Sequence, residues 1–322
     1  MKIGNTSLEL GLILAPLAGF TDLAFRTLCA EQGAEYTVTE MISAKAVMMN
    51  NKKTFGLAKM SQVPTAIQLF GAEEEPVRYA SELLSAPDMP WGSAAAIDIN
   101  MGCPMHKIVS NGEGSALMRD PKCAEKVIKA AVKGSRVPVT VKIRAGWDRD
   151  SINAPEIARI AEDCGAAAVA VHARTKQQLY SGKADHDITR QVVEAVNIPV
   201  IANGDIKCAE DVLRLRDMGC SAFMIGRGAV GDPWIFARLA AALRGEEYTE
   251  PTVRERMELA VRHLEMAVAD KGEHIAVPEA RKHLSAYISS FSGAAAVRAK
   301  INTLNSSRDI TDMLRELADK QQ

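Results

Sequence analysis

No apolar run in the 322 residues approaches the roughly 18–20 that a membrane-spanning helix needs. The N-terminus, MKIGNTSLELG, lacks the uninterrupted apolar core of a secretory signal. Both absences make the cytosol the expected compartment. Cysteine is sparse and scattered: Cys29, Cys103, Cys123, Cys164, Cys208 and Cys220 form neither a CxxC pair nor a cluster with histidine. That argues against a zinc or iron–sulfur site, so no metal is expected, and a disulfide framework is not expected in the cytosol. Charge of one sign is missing too. A net charge of −1 gives no overall pull toward nucleic acid, although a local basic face stays open. What is present, 47% hydrophobic and 25% charged residues with 22 Gly and 13 Pro, suits one large globular domain plus a small one.

Across residues 10–240 short apolar runs alternate with amphipathic stretches. Eight runs read as strands: LGLILAP (10–16), YTVTEM (36–41), TAIQLFG (65–71), AAIDIN (95–100), VTVKIRAG (139–146), AAVAVHART (167–175), IPVIANGD (198–205) and AFMIGRGA (222–229). LAFRTLCAEQ, PVRYASELLS, CAEKVIKAAVK and APEIARIAEDC read as helices between them. LCAEQGAEYTV, AEDCGAAAVAV and RDMGCSAFMI each place a glycine where a helix stops and a strand begins. Eight such units fit a (β/α)8 TIM barrel, which typically takes about 250 residues; a doubly wound sheet is the alternative.

The strand faces favour the barrel. In VTVKIR, Val139, Val141 and Ile143 share one face, and Thr140, Lys142 and Arg144 the other. The same alternation groups Ala66 with Gln68, Asp98 with Asn100, and Ala170 with His172 and Arg174. Parallel strands covered on both faces should be apolar throughout, so polar groups repeated near their C-terminal ends mark a mouth where a site forms.

The turn DINMGCP (98–104) raises a question of its own. A cysteine chosen for packing would lie inside a helix or strand. Gly102 and Pro104 instead hold Cys103 on a loop, where reactive groups are presented. Cys29, Cys164 and Cys220, at helix ends, read as structural. His106 and Lys107 read as a solvated loop, and Met41, Met48 and Met49 as loop packing.

Asn203-Gly204-Asp205 and Gly226-Arg227-Gly228 close runs seven and eight. Glycine-rich turns before helices expose backbone N–H groups to an anion, and this barrel usually binds phosphate there. Residues 226–231 also satisfy G-x-G-x-x-G, but helices follow rather than a strand with an acidic tip, which rules out a classical dinucleotide fold.

From about residue 246 the pattern turns wholly helical: TVRERMELAVRHLEMAVADKG, then PEARKHLSAYISSF with proline in its first turn, then SSRDITDMLRELADK with serine caps. The division is therefore a barrel over 1–245 and a small helical domain over 246–322. Residues 281–308 contain Arg281, Lys282, Arg298, Lys300 and Arg308 and no Asp or Glu. This is either a solvated face or a track for a phosphate backbone.

Taken in order, APLAGFTDLAFR (15–26), TEM (39–41), QLFG (68–71), DINMGCP (98–104), VKIRAGW (141–147), HARTKQQLYSGKAD (172–185), NGDI (203–206), GRGAVGDPW (226–234) and ARKHLSAY (280–287) resemble the tRNA-dihydrouridine synthases over nearly the whole length, the bacterial B-type most closely. Ala173 and Lys176 depart from the family's more common glycine and arginine. The resemblance implies an enzyme with tightly but non-covalently bound FMN, using NADPH to reduce the C5–C6 double bond of tRNA uridines, in the D-loop at position 17. It implies that Pro16, Leu17 and Ala18 line the flavin ring, that Gln68 meets the ring edge and that Lys142 faces its N1/C2 region. His172 would lie near the phosphate-bearing side or the substrate. Asn203, Gly204, Asp205, Gly226 and Arg227 would hold ribityl and phosphate. Cys103 would give a proton to C5 as hydride reaches C6, Asn100 would orient the uracil, and Arg174 would contact the substrate. Arg281, Lys282, Arg298 and Lys300 are the tail residues expected to meet tRNA.

Two alternatives stay open on the residues alone: an FMN barrel acting on a free pyrimidine, and an aldolase using Lys142 as a Schiff base. No dimer seam is visible, which makes a monomer the expectation.

Overall fold

The computed structural model describes residues 1–289 and 293–320. Eight strands form one parallel sheet: β1 (Leu12–Leu14), β2 (Tyr36–Val38), β3 (Thr65–Phe70), β4 (Ala96–Met101), β5 (Val139–Arg144), β6 (Ala168–His172), β7 (Val200–Asn203) and β8 (Ala222–Ile225). Neighbours run β2-β1-β8-β7-β6-β5-β4-β3, and Thr37 opposite Thr65 with Val38 opposite Ala66 joins β2 to β3 and closes a (β/α)8 barrel. A two-residue strand, Ile42–Ser43, lengthens the sheet beside β3. The barrel helices are α1 (Leu23–Glu31), α2 (Ala44–Met48), α3 (Glu74–Leu84), α4 (Pro121–Gly134), α5 (Ala154–Asp163), α6 (His186–Ala195), α7 (Ala209–Asp217) and α8 (Ile235–Arg244).

The alternation along each strand sorts the core. Val139, Val141 and Ile143 face outward with Ile97, Ile99, Val169 and Val171 under the helices. Ala66, Ala96, Ala168, Ala170 and Met224 fill the interior, where small side chains suit the narrow barrel. Ile3 and Leu8, from the N-terminal hairpin Lys2–Ile3/Thr6–Ser7, complete that interior cluster. The glycines expected to stop helices, Gly33, Gly165 and Gly219, all have φ between +91° and +99°, a conformation other residues adopt only with strain. After Gly226–Gly231 comes α8, not a strand, in keeping with the rejected dinucleotide reading.

Among the described residues four tail helices follow: α9 (Val253–Lys271), α10 (Glu273–Tyr287), α11 (Ala294–Ile301) and α12 (Ser307–Lys320). Thr252 and Glu255 form a capping box at the start of α9. Met257, Leu264, Val277, Leu284, Ile301, Ile310 and Leu314 make a core that takes in Leu28 of α1 and Trp234. The tail is therefore packed onto the barrel. Two details differ from the sequence reading. Pro278 lies inside α10, which begins five residues earlier at Glu273, so the His274 carbonyl has no N–H to receive there. α11 carries no polar–apolar periodicity that would announce it. Residues 290–291, the end of the segment read as PEARKHLSAYISSF, lie outside the described residues.

At the seam, Lys271 pairs with Asp22 at 2.6 Å and Arg262 with Glu31 at 2.5 Å. Between these pairs His263 and His283 lie 4.5 Å apart, against Phe25. Burial drives both imidazoles neutral, His263 down to about 4 against the pull of Asp22, and His283 well below its ordinary value. Lys271 near His263 and Lys282 near His283 push the same way. Groups with folded pKa values below the unfolded 6.5 stabilise fully above that pH and lose the contribution as pH falls toward 4. Unfolding midpoints are thus expected to fall between pH 7 and 5, and His283→Phe to flatten that fall. An unchanged profile in the variant would exclude the pair as its source.

Candidate active site

At the C-terminal ends of the strands opens a cavity of about 860 Å3. Pro16, Leu17 and Ala18, after β1, give it an apolar wall, and Gln68, Asn100, Cys103, Lys142, His172, Asn203, Gly204, Asp205, Gly226 and Arg227 also face it. The polar strand tips thus converge, as closure of a barrel requires.

The floor is a hydrogen-bonded set of side chains. Asp98 accepts from Thr140 Oγ1 at 2.6 Å and from Gln68 Nε2 at 2.7 Å. Gln68 Oε1 accepts from Asn100 Nδ2 at 2.8 Å. Asn100 Oδ1 receives the N–H groups of Cys103 at 2.9 Å and Gly102 at 3.2 Å. Gln68 and Asn100 each keep one N–H for a ligand. On the other side of the turn, the Cys103 carbonyl accepts from the Ser115 N–H at 3.0 Å and hydroxyl at 2.9 Å.

This framing sets the state of the thiol. Burial raises the Cys103 pKa above its ordinary value, against the Met105 N–H and the cations Arg144 and Lys142, so Cys103 is protonated at neutral pH. A protonated thiol can give a proton, and among the described residues no base is hydrogen-bonded to its Sγ. Lys142 Nζ donates to Asn203 Oδ1 at 3.0 Å. Burial, with Arg144 nearby, lowers its pKa to about 8, which leaves a mostly charged ammonium at the cavity.

Below β7 and β8 the backbone supplies the remaining donors. The N–H groups of Gly204, Asp205 and Gly226 meet no protein acceptor among the described residues. With the Arg227 guanidinium they form a cup of unpaired donors whose chemistry suits an anion. Gly204, at φ +118°, has no room for a side chain: a Cβ would come within 2.9 Å of Ala184 and 3.1 Å of the His172 ring. His186 Nε2 bonds the Gly204 carbonyl at 2.9 Å and holds this turn.

Several side chains sit otherwise than the sequence suggested. Arg174 is buried behind the wall and bonds Asp205 at 2.7 Å, the Gly182 carbonyl at 2.7 Å and the Ser181 carbonyl at 3.2 Å, so its fork is engaged within the protein. Asp205 in turn accepts from Arg174, the Ala184 N–H and Arg227. Its carboxylate orients cations, and only its N–H can serve an anion. His172 Nε2 lies 3.4 Å from Arg174 Nη1. Because the guanidinium can only donate, the tautomer that suits this contact has Nε2 as acceptor and its proton on Nδ1. Met41 lines the cavity, while Met48 and Met49 of the α2 region are exposed rather than packed, Met49 by 79%. Lys176 stacks on Trp147, its ammonium 4.5 Å from the ring centre.

Arg144 and Tyr180 line the cavity and had no role in the sequence reading. Arg144 donates to the carbonyls of Gly102, Thr175 and Leu179 and so ties the Cys103 turn to the 175–180 loop. Tyr180 lies under the Arg227 guanidinium at 4.7 Å. The inward position of Arg144 was legible, but nothing local announced its three distant carbonyls. In the tail, Arg281 bonds the Leu304 carbonyl and Asn305, which gives it a structural role. Lys282 instead sits 4.8 Å over the ring of Phe20, itself part of the cavity wall. Arg298 is half-buried, and Lys300 is exposed.

The chain as a whole is similar to known proteins. A family model described as "Dihydrouridine synthase (Dus)" matches residues 13–322. The chain belongs to the dihydrouridine synthase family. A Rickettsia conorii protein named "Probable tRNA-dihydrouridine synthase" is 38% identical over 321 residues, 98% of this chain and 96% of that one. "tRNA-dihydrouridine synthase B" of Xanthomonas axonopodis pv. citri is 41% identical over 308 residues, 94% of this chain and 91% of that one. The chain is therefore an enzyme of this family, built on a TIM barrel.

Proposed function

We propose that this enzyme reduces the C5–C6 double bond of uridine in tRNA to 5,6-dihydrouridine, with FMN as its cofactor and NADPH as reductant. The observation that carries the proposal is the protonated Cys103 thiol at the same cavity as Lys142 and the anion cup. The residues fit FMN: Pro16, Leu17 and Ala18 offer an apolar wall to a flat ring, Lys142 a positive charge for its N1/C2 edge, and Gln68 its spare N–H. The free N–H groups of Gly204, Asp205 and Gly226, with Arg227, suit a phosphate. When bound, FMN supplies the hydride for uracil C6, and NADPH restores it.

The chain's own residues do the rest. A uridine inside a folded tRNA must leave its stack to reach the barrel. Asn100 has one N–H for the uracil edge. Cys103 Sγ–H delivers the proton to C5, so hydride and proton together add the two hydrogens of the product, and the thiolate left behind takes a proton from solvent. The barrel, 1–245, would hold the cofactor and the helical domain, 246–322, would meet the tRNA. The enzyme would work as a cytoplasmic monomer on position 17 of the D-loop, the position the B-type resemblance implies. The test is to incubate the protein, NADPH and an unmodified tRNA transcript and digest to nucleosides. A uridine heavier by two hydrogens is expected; no such nucleoside would overturn the proposal.

Lys282, beside Phe20 at the cavity, and exposed Lys300 are the tail cations best placed for phosphates. Replacing each with alanine is expected to weaken tRNA binding and to lower the slope of log affinity against log salt by about one for each phosphate no longer neutralised. Arg281→Ala should lower the unfolding midpoint instead. Slopes parallel to the parent's for both lysine variants would count against this face.

A further inference from the structure

We propose that Asp98 is a positioning residue for the proton donor: through Gln68 and Asn100, its carboxylate fixes the turn that carries Cys103. This rests on the reading of Cys103 as the donor. The chain of hydrogen bonds is continuous, from Asp98 to Gln68 at 2.7 Å, to Asn100 at 2.8 Å, and to the N–H groups of Cys103 and Gly102 at 2.9 and 3.2 Å.

Its polarity is determined at both ends. A primary amide can sit in two flipped orientations, and isolated amides are ambiguous for that reason. Here one end is a carboxylate, which only accepts when ionised, and the other is a pair of backbone N–H groups, which only donate. Every amide between them is left with one orientation: Gln68 must turn its NH2 to Asp98 and its oxygen to Asn100. Asn100 must then turn its NH2 to Gln68 and its oxygen to the turn. A buried carboxylate is costly, and an apolar side chain would fill the same space without that cost. What the carboxylate adds is an acceptor that cannot reverse. Burial raises its pKa to about 6, so it is ionised at neutral pH, held by Thr140 on its second oxygen.

The test compares Asp98→Leu, which removes the acceptor, with Asp98→Asn, which keeps one. Hydrogen exchange is read at the Gly102 and Cys103 amides, with Val169 and Val171 of β6 as internal references. In Asp98→Leu exchange at 102–103 is expected to rise by about tenfold to a hundredfold, the effect of losing one buried hydrogen bond, with β6 unchanged. In the same variant kcat on tRNA should fall by a similar factor at unchanged KM, and Asp98→Asn, whose amide oxygen can accept from Gln68 but can also reverse, should restore part of each effect. Exchange at 102–103 that is unchanged, that rises equally across β6, or that rises equally in both variants would overturn the proposal. Should Asp98→Leu fail to fold, Gln68→Met cuts the same chain at its middle and is expected to give the same local rise. Exchange reads the turn itself, so its failure is distinct from failure of the donor assignment, which turnover of Cys103→Ala decides.

Discussion

Cys103→Ala is expected to lower turnover on tRNA by about a hundredfold to ten-thousandfold, the range a positioned general acid contributes. Reduction of the flavin by NADPH and the affinity for tRNA should stay near those of the parent. The expectation follows from where the sulfur sits. Its backbone is anchored by Asn100 on one side and Ser115 on the other, so alanine leaves the turn in place and removes only the Sγ–H. The raised pKa of the thiol means that a proton, rather than a nucleophile, is what the substitution takes away. Flavin reduction and tRNA reoxidation, followed separately by absorbance, check this. Full reoxidation rates in the alanine variant would remove Cys103 from the chemistry.

Arg174→Ala should do its damage through stability. The side chain is 1% exposed, and removing it takes one donor from Asp205, which keeps the Ala184 N–H and Arg227, and frees the carbonyls of Ser181 and Gly182 to solvent. Breaking a fully buried ion pair from one side costs about 3–5 kcal/mol; with Asp205 28% exposed and still paired, a loss of about 1–3 kcal/mol is expected. Asp205 also orients Arg227, so the anion cup should loosen and the protein lose bound flavin. Arg174→Lys is not expected to rescue either effect, because an ammonium cannot reproduce the fork that reaches three acceptors. Denaturant unfolding and flavin content after purification measure both. A loss under about 1 kcal/mol, the scale of an exposed pair, would show that the pair is not structural.

The barrel was legible because its constraints are local. Period-two alternation in VTVKIR and glycine at three helix ends fix strand faces and helix stops without reference to distant residues. The polar tips Gln68, Asn100, Lys142 and His172 were legible for the same reason: they break a packing rule on their own strands. Arg174 and Arg281 have partners that no local pattern announces. Each is a cation of the right type in the right region, yet folding brings carbonyls or a carboxylate from other segments to meet it. Pro278 misled because proline usually opens a helix, while here packing of α10 against α9 outweighs one missing hydrogen bond. Met48 and Met49 misled in the opposite sense, since apolar residues are normally read as packed. Asp98 was placed correctly as an inward residue, but its use depends on two amides from two strands.

The central claim is that one cavity serves both a reduced flavin and a tRNA uridine, and one anaerobic measurement addresses it. The purified protein is reduced with NADPH, tRNA lacking dihydrouridine is added, and flavin absorbance is followed. Rapid reoxidation by that tRNA, and none by tRNA already carrying dihydrouridine, is the expected result. A flavin that reduces and then ignores unmodified tRNA would contradict it.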